Sequence, residues 1–407
     1  MLLLDSRVNW PTSYTLTIPT MNAARGPVEH RRRLSAFQER LADVADLAFF
    51  PRSADLHYLT GVPRDVPNFG AVLHPGDWLE GAWLTPTDGP LLALPRMTAE
   101  FGGLAESSGA TVHVLPDHGD AREMVRGFLT SFSLPEAPRI AIGDATRGAT
   151  VSELQSLLPR ATFVSATEIL RPLRTIKSED ETATMRRAGA ITEAAFGDVL
   201  TKLVHGMSEL DIVSEVDYQL RRHGSLGPSF TTSLYNSGPN HPLLFGQREA
   251  TWKRTLTPPV SILFDFGAIL DGYCYDFGRT VFFGEPGEEF EAIFRLVMAS
   301  QAAGIAALRV EGTTADADGA ARRVIVEGGH GPAFRHRLGH AIGMDVHEPP
   351  FLTAGDPTVL REGMLFTVEP SITRFDTFSA RVEDVVAVGP DGGTPLTTGF
   401  RELLVIE

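Results

Sequence analysis

The chain has 407 residues, of which 43% are hydrophobic, and a formal net charge of −15. Its length predicts two domains, because one hydrophobic core rarely organises so many residues. The acidic balance argues against nucleic acid and anionic membrane as partners, since binding to phosphate groups requires a basic surface. A single cysteine, Cys274, excludes an intrachain disulfide framework, and no apolar run of about 20 residues indicates a membrane span. We therefore expect a cytoplasmic protein.

The first 170 residues predict a short arm followed by an α/β domain. Residues 1–26 form the arm; its apolar start breaks at Asp5 and has no basic leader, which is unlike a signal peptide. In residues 27–170, short apolar runs alternate with segments of helical spacing. Strands are predicted at 69–73, 81–84, 91–94, 111–115, 139–142 and 162–164, and helices at 97–107, 121–132 and 150–158. This domain shows no cluster of catalytic residue types.

Residues 171–407 predict a second domain in which one pattern occurs twice. The predicted elements are helices at 179–204 and 208–223, a hairpin at 260–284, helices at 287–309 and 314–328, and strands at 364–373 and 380–388. Ser178 and Glu181 form a capping box that begins the first of these helices. Asp271-Gly272 is a typical hairpin turn. The order is α-α-β-β twice, so two facing hairpins would place a site between the halves.

Five side chains of metal-binding type lie on or beside the predicted strands of both halves. They are Asp265, Asp276, His340, Glu369 and Glu383. The four carboxylates could balance the charge of two divalent ions. A carboxylate inside an apolar run such as the one around Asp265 is costly unless it is paired or metal-bound. This pattern indicates a dinuclear metal hydrolase.

Other interpretations remain open for single residues. Asp265 could cap a bulge, and Asp276 could pair with Arg279. Glu383 could be an exposed edge residue, although its neighbour Asp384 suits that role better. Arg381 could orient Glu383 or Asp384 by a hydrogen bond without itself binding metal.

Three histidines lie within twelve positions of a glycine-containing segment, His336, His340 and His347. We expect one of them to bind metal and the other two to donate hydrogen bonds to a substrate carbonyl and its oxyanion. A ligand set rich in oxygen favours Mn²⁺, with Co²⁺ or Zn²⁺ as alternatives. Two such ions would generate a nucleophile from water and polarise a carbonyl, so amide hydrolysis is the expected reaction.

The residues of the second domain resemble those of the pita-bread metallopeptidases, which include prolidase, aminopeptidase P and creatinase. The matching segments are DFG, GYCYDFGRT, HRLGHAIGMDVHE, EGMLFTVEP and RVED, in family order. The resemblance implies two metal ions, with Asp276 and Glu383 bridging and Glu369 also shuttling a proton. It implies that His336 and His347 bind substrate. The first domain, with its HYLTG segment, is similar to the α/β domain of creatinase and the proline peptidases.

The resemblance further implies an Xaa-Pro dipeptidase or aminopeptidase that acts as a homodimer. The family's upstream histidine would correspond to His241, although the spacing differs here. Arg64 would lie in the loop that reaches the partner's site and could bind a dipeptide's C-terminal carboxylate. Two alternatives remain: hydrolysis of a small non-peptide amide such as ectoine, and a non-catalytic pita-bread binding protein. The intact ligand set argues against the second alternative.

Overall fold

The computed structural model describes residues 26–64, 76–95, 99, 110–115, 120–244 and 248–406. The predicted arm, the strand at 69–73 and nearly all of the helix at 97–107 lie outside these ranges. The predicted domain boundary at residue 171 falls within a helix that joins the two domains, so the division at this residue stays a prediction.

A six-stranded mixed sheet forms the N-terminal domain. Its strands are β1 (Leu47–Phe50), β2 (Gly81–Leu84), β3 (Leu91–Pro95), β4 (Thr111–Leu115), β5 (Arg139–Ile142) and β6 (Thr162–Ser165), in the spatial order β4-β3-β2-β1-β5-β6. The helices are α1 (Gly26–Leu41), α2 (Ala54–Thr60), α3 (Ala121–Ser131), α4 (Gly148–Leu157) and α5 (Ala166–Thr175). Every residue of β1 and β2 is buried, because helices cover both faces of this apolar sheet centre. The α/β prediction is confirmed, and β1 is a strand that it missed.

The C-terminal domain contains the predicted repeat. Its first half consists of α6 (Glu179–Leu200), α7 (Glu209–Arg222), β7 (Ser233–Ser237), the short α8 (Arg248–Thr251), β8 (Val260–Phe266), β9 (Ile269–Leu270), β10 (Tyr273–Cys274) and β11 (Phe277–Phe283). Its second half consists of α9 (Glu288–Ala307), α10 (Thr314–Glu327), β12 (Gly339–Ala341), β13 (Glu348–Leu352), β14 (Leu365–Val368), β15 (Ser371–Ile372), β16 (Ala380–Arg381), β17 (Asp384–Ala387), β18 (Thr394–Pro395) and β19 (Leu404–Ile406).

One sheet forms around the antiparallel pair β8 and β11 and includes β19 from the end of the chain, and a second forms around the antiparallel pair β14 and β17. The orders are β19-β11-β8-β7 and β13-β12-β14-β17-β18. Asp271 and Gly272 both have positive φ, as a tight hairpin turn requires, and Leu270 pairs with Tyr273 across it. The α-α-β-β repeat is therefore confirmed. The prediction missed β7, β12, β13, β18 and β19, which widen the two hairpins into sheets.

Among the described helices, α9 has the length and apolar composition of a membrane span. The prediction that no such run exists overlooked it. In the structure, Phe290 and Val297 of this helix are buried. The Gln301 amide donates hydrogen bonds to the Val368 carbonyl at 3.2 Å and to Asp384 at 3.0 Å. These contacts make α9 a core helix beneath the second sheet.

A buried ion cluster joins the two domains. Arg174, on α5, lies 2.5 Å from Asp55 of the N-terminal domain and 2.5 Å from Glu348 of the C-terminal domain. Lys177 lies 3.1 Å from the other Glu348 oxygen. Although burial opposes ionisation, Arg174 and Lys177 lower the pKa of Glu348 to about 2. Asp345 adds a third carboxylate to Arg174 at 2.8 Å. This cluster therefore fixes the 345–348 segment, which carries His347, to the domain boundary.

We predict that Glu348→Gln destabilises the protein by about 3–5 kcal/mol at pH 7, because it takes the carboxylate partner from the buried Lys177 and one of three carboxylate partners from Arg174. Urea unfolding followed by circular dichroism measures this loss. The matched control is Glu168→Gln, which removes an exposed ion pair with Arg171 and should cost less than about 1 kcal/mol.

The pH dependence gives an independent check on Glu348. Its folded-state pKa lies below the ordinary value of 4.5, so its contribution is present above about pH 4.5 and is lost as the pH falls toward about 2. The stability difference between the wild type and Glu348→Gln should therefore narrow over this acid range. Equal stabilities at pH 7 would show that the cluster does not hold the domains together.

Candidate metal centre

The five predicted ligands converge where the two sheets meet. Asp265 lies on β8, and Asp276 directly precedes β11. His340 lies on β12, Glu369 directly follows β14, and Glu383 directly precedes β17. All five side chains are buried, with between 0% and 9% of their surface exposed. The structure thus brings together the residues that the sequence pattern singled out.

Two backbone hydrogen bonds join the halves at the site. The Glu383 amide donates to the Gly278 carbonyl at 2.9 Å, and the Gly278 amide donates to the Glu383 carbonyl at 3.3 Å. A Cβ atom at position 278 would lie only 2.9 Å from the Glu383 Cβ and Oε2 atoms. Glycine is therefore required for this approach, which brings Glu383 beside the first hairpin.

The His340 imidazole faces two of the carboxylates. Its Nε2 atom lies 3.7 Å from Asp276 Oδ2 and 3.5 Å from Glu369 Oε1. Its Nδ1 atom donates to the Ala341 carbonyl at 3.1 Å. Burial, together with the neighbouring His347, lowers the pKa of His340 to about 3, so the ring is neutral at physiological pH. The Nε2 lone pair is then directed at carboxylates, an arrangement that a cation between them would satisfy.

Arg381 provides positive charge at this centre. Its guanidinium contacts three carboxylates, Asp265 at 2.7 Å, Glu369 at 2.8 Å and Glu383. Burial disfavours the charged guanidinium, but these carboxylates, led by Asp265, outweigh burial and hold the pKa of Arg381 well above its ordinary value. One arginine still leaves three of the four carboxylate charges without a counter-charge from it.

Burial close to other carboxylates raises the pKa values of three of the four acids. Burial, followed by the nearby Asp265, raises the pKa of Asp276 well above its ordinary value. Burial also raises the pKa of Glu383 well above its usual range and that of Glu369 to about 7, although Arg381 opposes both shifts. Asp276 Oδ1 and Glu383 Oε1 are buried without a hydrogen-bond partner. Oxygen atoms left in this state fit direct coordination of divalent cations.

Asp276, His340 and Glu383 form the tightest potential metal group, since one ligand atom from each lies within 4.8 Å of the others. Asp265 and Glu369 flank this group and are held by Arg381. The complete set offers four carboxylates and one imidazole, which suits hard or borderline divalent ions.

A cavity of about 710 Å³ opens beside this centre. Its walls include Asp265, Asp276, His340 and Glu369 on one side. The rest of the lining includes large apolar and aromatic side chains, namely Phe230, Tyr235, Leu243, Leu263 and Phe351. This volume and this mixture of an apolar wall with convergent polar groups are typical of small-ligand sites.

Both substrate-binding candidates, His336 and His347, line the cavity. His336 Nδ1 donates to the Arg337 carbonyl at 2.7 Å, and its Nε2 lies 2.6 Å from the Ser371 hydroxyl. Its ring is therefore held from both ends. The exposed His347 ring packs against the His340 ring at a centroid distance of 4.2 Å and makes no hydrogen bond within the described chain. His347 is thus the freer donor toward a bound molecule.

Two predicted residues lie away from the cavity lining. His241 is buried in a turn, where its Nε2 lies 3.2 Å from the Thr255 carbonyl, and it does not line the cavity. Arg64 lies 2.6 Å from Asp345 and 3.1 Å from Cys274 Sγ of its own chain, and it too is absent from the lining. The structure therefore brings neither of them to the metal centre.

The structure corrects the interpretation of Asp384 as an exposed edge residue. Asp384 is completely buried and lies 2.7 Å from Arg279, which also donates to the Glu383 carbonyl at 2.6 Å. The alternative pairing of Arg279 with Asp276 is likewise wrong. The Arg279–Asp384 pair thus holds the Glu383 backbone through the hydrogen bond to its carbonyl. The local sequence RVED could not indicate this contact, because Arg279 lies about 100 residues earlier in the chain.

Arg337, which also lines the cavity, was missed by the sequence prediction. It occupies the position directly after His336 in HRLGH. No simple pattern could have found it, because alternation along an extended segment would send the neighbours His336 and Arg337 to different faces, whereas both line the cavity.

Comparison with known families agrees with this architecture. Residues 183–390 match the model of metallopeptidase family M24, and residues 33–176 match the creatinase/prolidase N-terminal domain. The first match alone covers about half of the chain. It spans all five predicted metal ligands and the two proposed substrate-binding histidines, His336 and His347.

Individual relatives extend over most of the chain. It is 34% identical to an Xaa-Pro dipeptidase of Lactobacillus delbrueckii subsp. lactis over 64% of this chain and 71% of that relative. It is 29% identical to a putative dipeptidase of Bacillus subtilis (strain 168) over 92% of this chain and 99% of the relative. A dipeptidase structure from Pyrococcus horikoshii OT3 superposes with a TM-score of 0.80 at 27% identity, covering 92% of this chain and 100% of that one. The chain is therefore a member of metallopeptidase family M24, a metal-dependent peptidase with a creatinase/prolidase N-terminal domain before a pita-bread catalytic domain.

Proposed function

We propose that the protein is a dinuclear-metal Xaa-Pro peptidase that hydrolyses the amide bond before proline. The convergence of four carboxylates and one neutral imidazole beside one cavity, which three of these carboxylates and the imidazole line, carries this proposal. Relatives named Xaa-Pro dipeptidase support the substrate class. The apolar wall that includes Phe230 and Leu243 suits a pyrrolidine ring.

The proposed ligands are Asp265, Asp276, His340, Glu369 and Glu383, with Mn²⁺ as the proposed metal and Co²⁺ or Zn²⁺ as alternatives. The unpartnered oxygens of Asp276 and Glu383 support this assignment. Two divalent ions bound there would supply a nucleophile from water at neutral pH and polarise the scissile carbonyl. Arg381 would keep the acidic ligands in place, because it already contacts three of them.

The surrounding side chains would handle the substrate and its protons. Glu369 borders the cavity and lies beside His340, so its carboxyl group is placed to carry a proton toward the leaving amine. His347 would donate a hydrogen bond to the substrate carbonyl as negative charge develops there. His336, held by Ser371 and the Arg337 carbonyl, would form a fixed part of the substrate wall.

A homodimer and a cytoplasmic location complete the proposal, and both rest on resemblance to the proline peptidases. The loop predicted to reach the partner's site begins at Arg64, and its following residues lie outside the described ranges. The contacts of Arg64 and His241 give no support to direct roles for either residue in the reaction.

We predict that the full-length protein reconstituted with Mn²⁺ releases proline from Ala-Pro, and that EDTA abolishes this activity. Chromatographic detection of free proline measures the reaction. Ala-Ala serves as the peptide control and ectoine as the non-peptide amide. Turnover of ectoine without release of proline would favour the alternative hydrolase, and absence of both activities and of bound metal would favour a binding protein.

We predict that Asp276→Asn stabilises the metal-free protein but removes its stabilisation by Mn²⁺. Without metal, Asp276 has a raised pKa, so its charged form is unfavourable in the folded state at neutral pH. The gain should shrink as the pH falls and should vanish below about 3.9, the ordinary pKa of aspartate, because the carboxyl group is then protonated in both the folded and the unfolded state. Thermal unfolding with EDTA or Mn²⁺ measures both effects.

The control for this substitution is Glu362→Gln, which changes an exposed carboxylate in the same domain. It should leave the response to Mn²⁺ unaltered. An Asp276→Asn protein that retains the full thermal shift with Mn²⁺ would remove Asp276 from the ligand set.

A further inference from the structure

Two arginines line the cavity, and they differ in their partners. Arg381 is surrounded by the carboxylates of the metal centre. Arg337 is half-buried, and its guanidinium lies over the Phe351 ring, 4.4 Å from the centroid. Within the described ranges it forms no ion pair and its side chain makes no hydrogen bond. Arg337 is thus a cation on the cavity wall that no carboxylate of the described residues contacts directly, although its charge acts on Glu369 and helps to lower the pKa of that group.

The stacking on Phe351 fixes the plane of the guanidinium without using its N–H groups. A guanidinium has five such donors at its edge, arranged to match the two oxygens of a carboxylate. Contact between a cation and a ring face leaves this edge available for a ligand. The chemistry that Arg337 selects is therefore a planar anion bound inside the cavity.

The charge of Arg337 acts on the groups that would face a substrate. After burial, Arg337 makes the largest contribution to lowering the pKa of His347. It also contributes to the lowered pKa of His336. Arg337, His336 and His347 all line the same cavity, so a molecule bound there would meet the guanidinium together with both histidines.

We propose that Arg337 binds the C-terminal carboxylate of the substrate and so makes the protein a dipeptidase. This inference rests on the proposed Xaa-Pro activity. In a dipeptide, the carboxylate is attached to the proline Cα, only two bonds from the nitrogen of the scissile bond. A bound Xaa-Pro molecule therefore carries its negative charge within the same cavity as the metal centre.

A longer peptide places a neutral amide at that position. Arg337 would then be covered by substrate without an anionic partner, and a buried unpaired charge is unfavourable. A site built around a charged partner rejects a substrate that lacks it. Arg64, the earlier candidate for this role, is already paired with Asp345 and does not line the cavity.

The test compares Ala-Pro with its C-terminal amide, Ala-Pro-NH₂, and with Ala-Pro-Ala. The wild type should prefer Ala-Pro in kcat/KM by roughly 10- to 100-fold, the range expected for one charge-assisted hydrogen-bonded pair. Arg337→Met should raise KM for Ala-Pro and reduce this preference to near unity. Arg337→Lys, which keeps the charge but loses the planar fork, should retain an intermediate preference.

The matched control is Arg335→Met. Arg335 lies two residues away, is exposed and stacks over the Phe375 ring at 4.8 Å, but it does not line the cavity. This variant should keep the wild-type preference. If Arg337→Met lowers kcat/KM equally for the acid and the amide, Arg337 does not read the carboxylate. If the wild type cleaves none of the three peptides, the proposed function itself fails.

Discussion

Mutual repulsion among four buried carboxylates is the constraint on which the rest of the structure depends. Water cannot screen these charges, and Arg381 can balance only part of them. The free energy of folding must therefore hold together groups that would separate in solution. A centre that is unfavourable when empty of cations has strong affinity for them, since binding removes the repulsion. The same feature that lowers the stability of the scaffold thus supplies the driving force for metal binding.

The scaffold opposes this repulsion with backbone contacts rather than with more charge. Paired hydrogen bonds between Gly278 and Glu383 join the two halves directly at the site. Beneath them, Arg279 and Asp384 form a buried pair to which Gln301 of α9 also bonds. Strands of both halves are thereby fixed relative to one another before any ligand binds. Such preorganisation is what a site that stabilises developing charge requires.

The sequence revealed the ligands because each carboxylate interrupts an apolar run, and an uncompensated charge there has few explanations. The helices and the central hairpin were also predictable from periodicity and turn residues. Short strands such as β12 were not, since three residues show no period. The burial of Asp384 and the place of Arg337 in the cavity lining were not predicted, because both depend on residues that are distant in the chain. His241 matched a motif by composition, but its position was decided by the Thr255 carbonyl.

The ion cluster around Arg174 has a consequence for how such proteins diversify. Its cations lie on and just after the helix that joins the two domains, whereas Asp55 belongs to the first domain and Glu348 directly follows the cavity residue His347. The two domains are therefore not interchangeable modules. A chimera that joins this catalytic domain to a foreign first domain must keep Arg174 and Lys177 at the junction and must also contain a carboxylate equivalent to Asp55. Without these ion pairs, Glu348 would lose its fixed position and the neighbouring His347 would lose its orientation. Recombination at this boundary is therefore constrained by the charged residues on both sides of it.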